Sequence, residues 1–280
     1  MGGRGSRSSS GNGTGIASQS VLKNFSQATE DFNPNTVTMP TLQDVKNGNV
    51  LPKGGVAFST FRGMTDDEKA DVIAKALMVK PPIFLDDSGL QRLAYFTGMS
   101  DKPQIVTDAQ IDKIGGTTLY RNVHDAYDKS KDIRYSSNDI YKQITTGDFT
   151  MYSDGGGSAH GKGIYFAESY RGATDYYSRS GGNNIMMRAK ISSTAKTIKE
   201  SDLNNLYNAE KRKNTKLYQA VSKADSKSAR NLFALAKGYD VIIDKGQGSV
   251  WNTGYHMVLN RGALIMSDTI KATNPTGVAW

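Results

Sequence analysis

The 280-residue chain has no cysteine, which removes disulfides, thiolate metal sites and cysteine nucleophiles together. Such a composition fits a reducing compartment. Histidine is scarce too: His124, His160 and His256 make up the set. No two of them stand at zinc-ligand spacing, so a metal-dependent chemistry is not expected. No apolar run approaches the roughly 18 residues of a membrane span, and no basic-then-apolar leader opens the sequence. A membrane partner is therefore not expected. The G-x-x-x-x-G-K-[ST] pattern of a P-loop is missing. Gly161-x-Gly163 lacks the third glycine, the preceding strand and the acid of a Rossmann dinucleotide-binding turn.

What is present is an excess of positive charge, formally +8. It is concentrated between Arg188 and Arg230, where eleven Lys/Arg face four Asp/Glu. A stretch of this kind attracts phosphate-rich partners, either nucleic acid or a dinucleotide, although solvated helical faces carry the same composition. It holds no nucleic-acid recognition motif, and its aromatics, Tyr207 and Tyr218, are sparse.

Along the chain, residues 1–17 are Gly/Ser-rich with two arginines and no acid, the composition of a flexible tail. Met1-Gly2 with Ser6 matches a myristoylation pattern, but so short a match arises easily by chance in a low-complexity tail. Residues 18–115 read as a helical N-terminal region. Thr65 followed by Asp66, Asp67 and Glu68 is a capping box ahead of Ala70, Val72, Ile73 and Leu77. Lys80-Pro81-Pro82 breaks the chain, a second helix is expected from Asp87 or Ser88 to Gly98, and a short third from Asp108.

From residue 116 the pattern shifts. Thr117 to Val123 has the β-branched and aromatic content of a strand behind Gly115-Gly116. Ser136 or Ser137 caps a helix through Ile140 and Ile144. A Gly-rich loop from Asp154 to Gly161 feeds a strand at Gly163–Ala167, then a helix over 169–178 and a strand over 184–191. Helices are expected over 201–212 and 214–236, the second ending at Gly238. Short strands follow at 239–243, 255–259 and 263–266. This order implies an α+β domain with a mixed or antiparallel sheet.

Three segments combine into a site. Leu119-Tyr120-Arg121 places an arginine on a strand, suited to bidentate contact with a pyrophosphate. Gly161 and Gly163 let backbone approach a ligand closely. Tyr165 and Tyr176, eleven residues apart, suit a flat cationic ring held by stacking and cation–π attraction. His160 lies in the glycine-rich loop beside them. Each feature alone has an ordinary reading as an ion-paired arginine, a turn or core aromatics; their order along the chain is what groups them.

Gly161-Lys162-Gly163-Ile164-Tyr165-Phe166-Ala167 with Tyr176 resembles the nicotinamide-binding signature of the diphtheria-toxin-like and poly-ADP-ribose polymerase branch of ADP-ribosyltransferases. Leu119-Tyr120-Arg121 resembles the first motif of the arginine–serine–glutamate branch, and Val258-Leu-Asn-Arg-Gly-Ala-Leu264 is similar to that branch's closing strands. The Met1-Gly-Gly-Arg-Gly-Ser6 opening and Thr97 to Pro103 resemble phage-borne transferases found with head-morphogenesis genes.

The resemblance implies an ADP-ribosyltransferase-like split mixed/antiparallel sheet over 116–280. It also implies NAD⁺ as substrate and mono-ADP-ribosylation of a host or phage protein, in host cytoplasm or virion. Carried over, Arg121 would bind the NAD⁺ phosphates or the nicotinamide-side ribose. Gly161 and Gly163 would line the pocket, Tyr165 and Tyr176 would flank the nicotinamide, and Ser169 would make a polar contact. His160 stands as a further nucleotide contact.

One departure matters. The resemblance implies a catalytic glutamate just before the closing strands, yet no Asp or Glu occurs between Asp244 and Asp268. Gly254 and His256 stand where the acid is expected, so His256 is the candidate in its place. A neutral histidine accepts a ribose hydrogen bond, whereas a protonated one opposes developing positive charge. Gln247 and Asn252 are nearby polar substitutes, and Glu168 would have to enter from another segment. The missing acid leaves an alternative: a catalytically weak or inactive fold serving as a head- or virion-associated binding protein, with capsid or portal proteins as partners.

Overall fold

The computed structural model describes residues 58–78, 102–124, 126–128, 133–146, 163–177, 184–224, 226–244 and 254–272. The Gly/Ser tail, the helix expected at 87–98, the loop bearing His160 and Gly161, and Gln247 and Asn252 lie outside these residues, as do the side chains of His124 and Tyr176.

The first helices are α1 (Phe58–Gly63) and α2 (Asp66–Met78). Thr65 caps α2 as its sequence requires: Glu68 N–H donates to Thr65 Oγ1 at 3.3 Å, and Thr65 N–H donates to Glu68 Oε2 at 2.7 Å. Three acids in the first turn complement the helix dipole. Ala70 and Ile73 are buried one turn apart, and α2 packs against a later helix, α7 (Lys216–Val221). Helix α3 (Asp108–Lys113) begins at Asp108 as expected. In α4 (Ser137–Thr145), Ile140 and Ile144 are buried at i and i+4. Ile140 N–H donates to the Ser136 carbonyl, which settles Ser136 as the residue before the helix.

Eleven short strands are described: β1 (Gln104–Val106), β2 (Leu119–His124), β3 (Ala126–Asp128), β4 (Ile133–Tyr135), β5 (Ile164–Ala167), β6 (Asn184–Ile191), β7 (Thr197–Lys199), β8 (Val241–Asp244), β9 (Tyr255–Val258), β10 (Leu264–Ser267) and β11 (Lys271–Ala272). Nine form one sheet in the order β1-β10-β6-β2-β5-β9-β8-β7, with β11 also on β6, while β3 and β4 form a separate hairpin. The β1/β10 and β7/β8 pairs are parallel and the others antiparallel. The fold is thus α+β with a large mixed sheet.

Strand β1 lies inside residues 18–115, read from sequence as mostly helical, and was not expected there. Its three residues are too few to show a period, and they become a strand through pairing with β10, from the far end of the chain.

The remaining helices are α5 (Tyr170–Tyr177), α6 (Glu200–Lys213), α7 and α8 (Ser226–Ala236). The single helix expected over 214–236 is two. Lys223 N–H and Ala224 N–H turn back to the Ala220 and Val221 carbonyls, which tightens and ends α7. Apolar spacing runs on across the break through Leu217, Ala220, Val221, Ala229, Leu232 and Phe233, so periodicity alone does not locate it. Helix α8 closes in a Schellman motif: Tyr239 N–H donates to the Ala234 carbonyl and Gly238 N–H to Leu235. Gly238 has φ +85° there, a conformation that glycine adopts without steric cost.

Candidate functional site

Strands β2, β5 and β9 stand side by side in the sheet. They carry Leu-Tyr-Arg, Ile-Tyr-Phe-Ala and Tyr-His-Met-Val. The ladders between them are unequal. β2 pairs with β6 at six positions and β5 with β9 at four, but β2 meets β5 only at Tyr120 and Ala167.

Past that point the Tyr165 carbonyl needs a donor that a longer ladder would have supplied. Arg121 Nη1 provides it at 2.9 Å. Arg121 is 7% exposed, and this bond ties β2 to β5. Side chains alternate along a strand, and the Tyr120/Ala167 register puts Tyr165 on the Tyr120 face. Arg121 accordingly meets the backbone of Tyr165.

The same register sets Tyr120, Ala167, Tyr255 and Asp244 in one row across β2, β5, β9 and β8. Tyr120, Tyr170 and Tyr255 gather, half-buried, around Ala167, Ala173 and Met186. The Tyr120 and Tyr170 rings meet edge to face at 6.1 Å, a favoured aromatic geometry. Burial holds the Tyr170 hydroxyl above its ordinary pKa. Sequence reasoning missed this cluster, because its members come from three segments that only strand register aligns.

Gly163 and Ser169 take roles set by the scaffold. A Cβ on Gly163 would lie 3.3 Å from the Val258 carbonyl, so the backbone that approaches closely here is β9. Ser169 accepts a hydrogen bond from Gly172 N–H at 3.0 Å and caps α5. Tyr165 is half-buried against the core, and α5 carries Tyr176 in its last turn. His160 and Gly161 lie outside the described residues.

The structure adds a partner to His256. This residue sits on β9 opposite Phe166, is 7% exposed, and has Nε2 at 2.9 Å from Glu168 Oε1. Glu168 follows β5 directly, and its N–H donates to the Gly254 carbonyl at 3.1 Å. A Cβ on Gly254 would meet Glu168 Cδ and Oε2 at 2.9 Å and the Asp244 carbonyl at 3.2 Å. The carboxyl group of Glu168 therefore occupies the space that a side chain at 254 would fill. The start of β9 carries no acid in sequence but has Glu168 against it.

Several cations of the basic stretch have partners within the fold. Arg188 is paired with Asp108 and Asp112, and Lys190 donates to the Gly116 carbonyl. Lys216 pairs with Asp71, and Arg230 pairs with Glu200 and donates to Asn204. Lys211, Arg212 and Lys213 end α6, where cations suit the helix dipole.

Among the described residues no helix is long and apolar enough to cross a membrane, and no group of three or more His, Asp or Glu could hold a metal ion. No protein-family model, curated protein or solved structure matches this chain.

Proposed function

We propose that the chain binds NAD⁺ and transfers its ADP-ribose to a protein side chain. The observation that carries this reading is the adjacency of β2, β5 and β9 in the sheet: β2 and β5 bear the Leu-Tyr-Arg and Ile-Tyr-Phe-Ala runs, and β9 ends at Val258, where the third resembling run begins. In the reaction the bond between ribose C1′ and the nicotinamide nitrogen breaks. Nicotinamide leaves with the bonding electrons, and the acceptor's nucleophile bonds to C1′ and releases a proton. Tyr165 and Tyr176 flank the ring, and Arg121 keeps the strand that carries Tyr165 seated.

Incubating the purified protein with radiolabelled NAD⁺ and a bacterial lysate should label one or a few proteins. Tyr165→Ala, checked for folding by circular dichroism, should weaken labelling by about tenfold or more, the worth of roughly 1.4 kcal/mol of stacking. No NAD⁺ binding, no hydrolysis and no transfer would end the reading.

A second reading follows from the acid-free sequence of β9 and β10: a binding protein associated with a phage head, partnered by capsid or portal proteins. Mass spectrometry of purified virions tests it, and absence of the chain from them removes it.

A further inference from the structure

We infer that Glu168 is the acid of this site, brought from the end of β5 into the place beside β9 where sequence offers only Gly254 and His256. The inference rests on the NAD⁺ reading above.

Three observations carry it. First, Gly254 leaves room for the Glu168 carboxyl group, which stands 2.9 Å from where a Cβ would lie, so a side chain there displaces it. Second, the hydrogen bond runs in one direction. An ionised carboxylate only accepts, so His256 Nε2 carries the proton and donates to Oε1 at 2.9 Å. His256 Nδ1 is buried with no hydrogen-bond partner among the described residues, which leaves the bond to Glu168 as the one that fixes the ring. Third, exposure is graded across the pair. The His256 side chain is 9% exposed and that of Glu168 28%. The imidazole is the buried support and the carboxylate is the end that can meet a ligand.

The chemistry suits a ribose. A carboxylate accepts hydrogen bonds from sugar hydroxyls. Its charge also stabilises the positive charge that spreads over C1′ and the ring oxygen as the bond to nicotinamide breaks. His256 acts through Glu168 as a positioning residue. Asp244 is the competing carboxylate, since it is paired with Tyr255 in the neighbouring strand.

The test measures two quantities on the full chain: NAD⁺ affinity by calorimetry, and nicotinamide release at saturating NAD⁺ by chromatography. Glu168→Gln keeps size and hydrogen-bonding shape and removes the charge. It should leave NAD⁺ affinity within about threefold and slow release by about 100-fold or more, the scale of losing one preorganised electrostatic contact. His256→Ala should slow release about tenfold or more, and His256→Gln, which retains a donor, should recover most of the rate.

Glu168→Asp provides the check should the Gln variant fail to fold, because it keeps the charge but is one methylene shorter. It too should slow release while binding NAD⁺. Wild-type release rates in both Glu168 variants would overturn the assignment while leaving the NAD⁺ reading standing. Loss confined to Asp244→Asn would do the same and move the role to Asp244. A wild-type protein that neither binds nor cleaves NAD⁺ would remove both.

Discussion

Replacing Asp240 with alanine should destabilise the protein more than any change at the candidate site. Asp240 is 4% exposed and stands just before β8. Its Oδ1 accepts from Arg62 Nη2 and Asn260 Nδ2, each at 2.9 Å, and its Oδ2 accepts from Lys196 N–H at 2.9 Å. One carboxylate thus ties α1, the residue before β7, and the turn between β9 and β10. Hydrogen bonds to a charged group contribute about 1.5–3 kcal/mol each. Arg62 is about a third exposed on its side chain, so solvent screens its share to below about 1 kcal/mol.

The larger loss comes from the buried donor left behind. Asn260 is itself buried, and an unsatisfied buried donor costs about 1–3 kcal/mol. Together the expected loss is about 3–5 kcal/mol, the range for breaking a buried charged network, against a whole-domain stability of about 5–15 kcal/mol. Asp240→Asn keeps one acceptor oxygen and should lose about half as much, because only a donor facing the new amide nitrogen goes unserved. Urea unfolding followed by far-ultraviolet circular dichroism measures both variants. A loss below about 1 kcal/mol in Asp240→Ala would refute the reasoning, because it would mean the three donors find water or other partners.

Two further substitutions separate scaffold from site. Ser169→Ala removes the cap of α5 and should cost about 1 kcal/mol in urea unfolding while leaving NAD⁺ affinity unchanged in calorimetry; a large fall in affinity would restore Ser169 as a ligand contact. Burial, and then the neighbouring Tyr218 hydroxyl, hold the Tyr207 hydroxyl above its ordinary value of 10. A phenol whose folded pKa is raised favours the folded state fully below pH 10, and that contribution is lost as pH climbs through the folded value. Tyr207→Phe, which keeps the edge-to-face contacts with Tyr218 and Phe233, should therefore flatten the alkaline fall in stability. Identical slopes above pH 10 in both proteins would contradict this.

Much of the local architecture was legible from residues alone. Thr65 and Glu68 announced the start of α2, because a capping box satisfies backbone donors within four residues. Gly238 marked the end of α8, because only a left-handed residue completes that motif cheaply. Strand β6 was placed to the residue at 184–191, since its apolar run is long enough to show. The break that ends α7 at Val221 and strand β1 were not legible. The first leaves the apolar spacing intact, and the second exists only through a partner some 160 residues away.

For the candidate site the division is sharper. Sequence determined the residue types: the arginine of β2, the two tyrosines eleven apart, and a final pair of strands without an acid. It had no means of determining which strands are neighbours or which face each side chain takes, because both depend on pairing between segments far apart in the chain. Tertiary structure decided those points. It buried Arg121 against a carbonyl, lined up Tyr120 with Tyr255, and folded Glu168 over a glycine. Glu168, at the end of β5, reaches Gly254 and His256 at the start of β9 because neighbouring strands lie about 4.8 Å apart in a sheet, however distant they are in sequence.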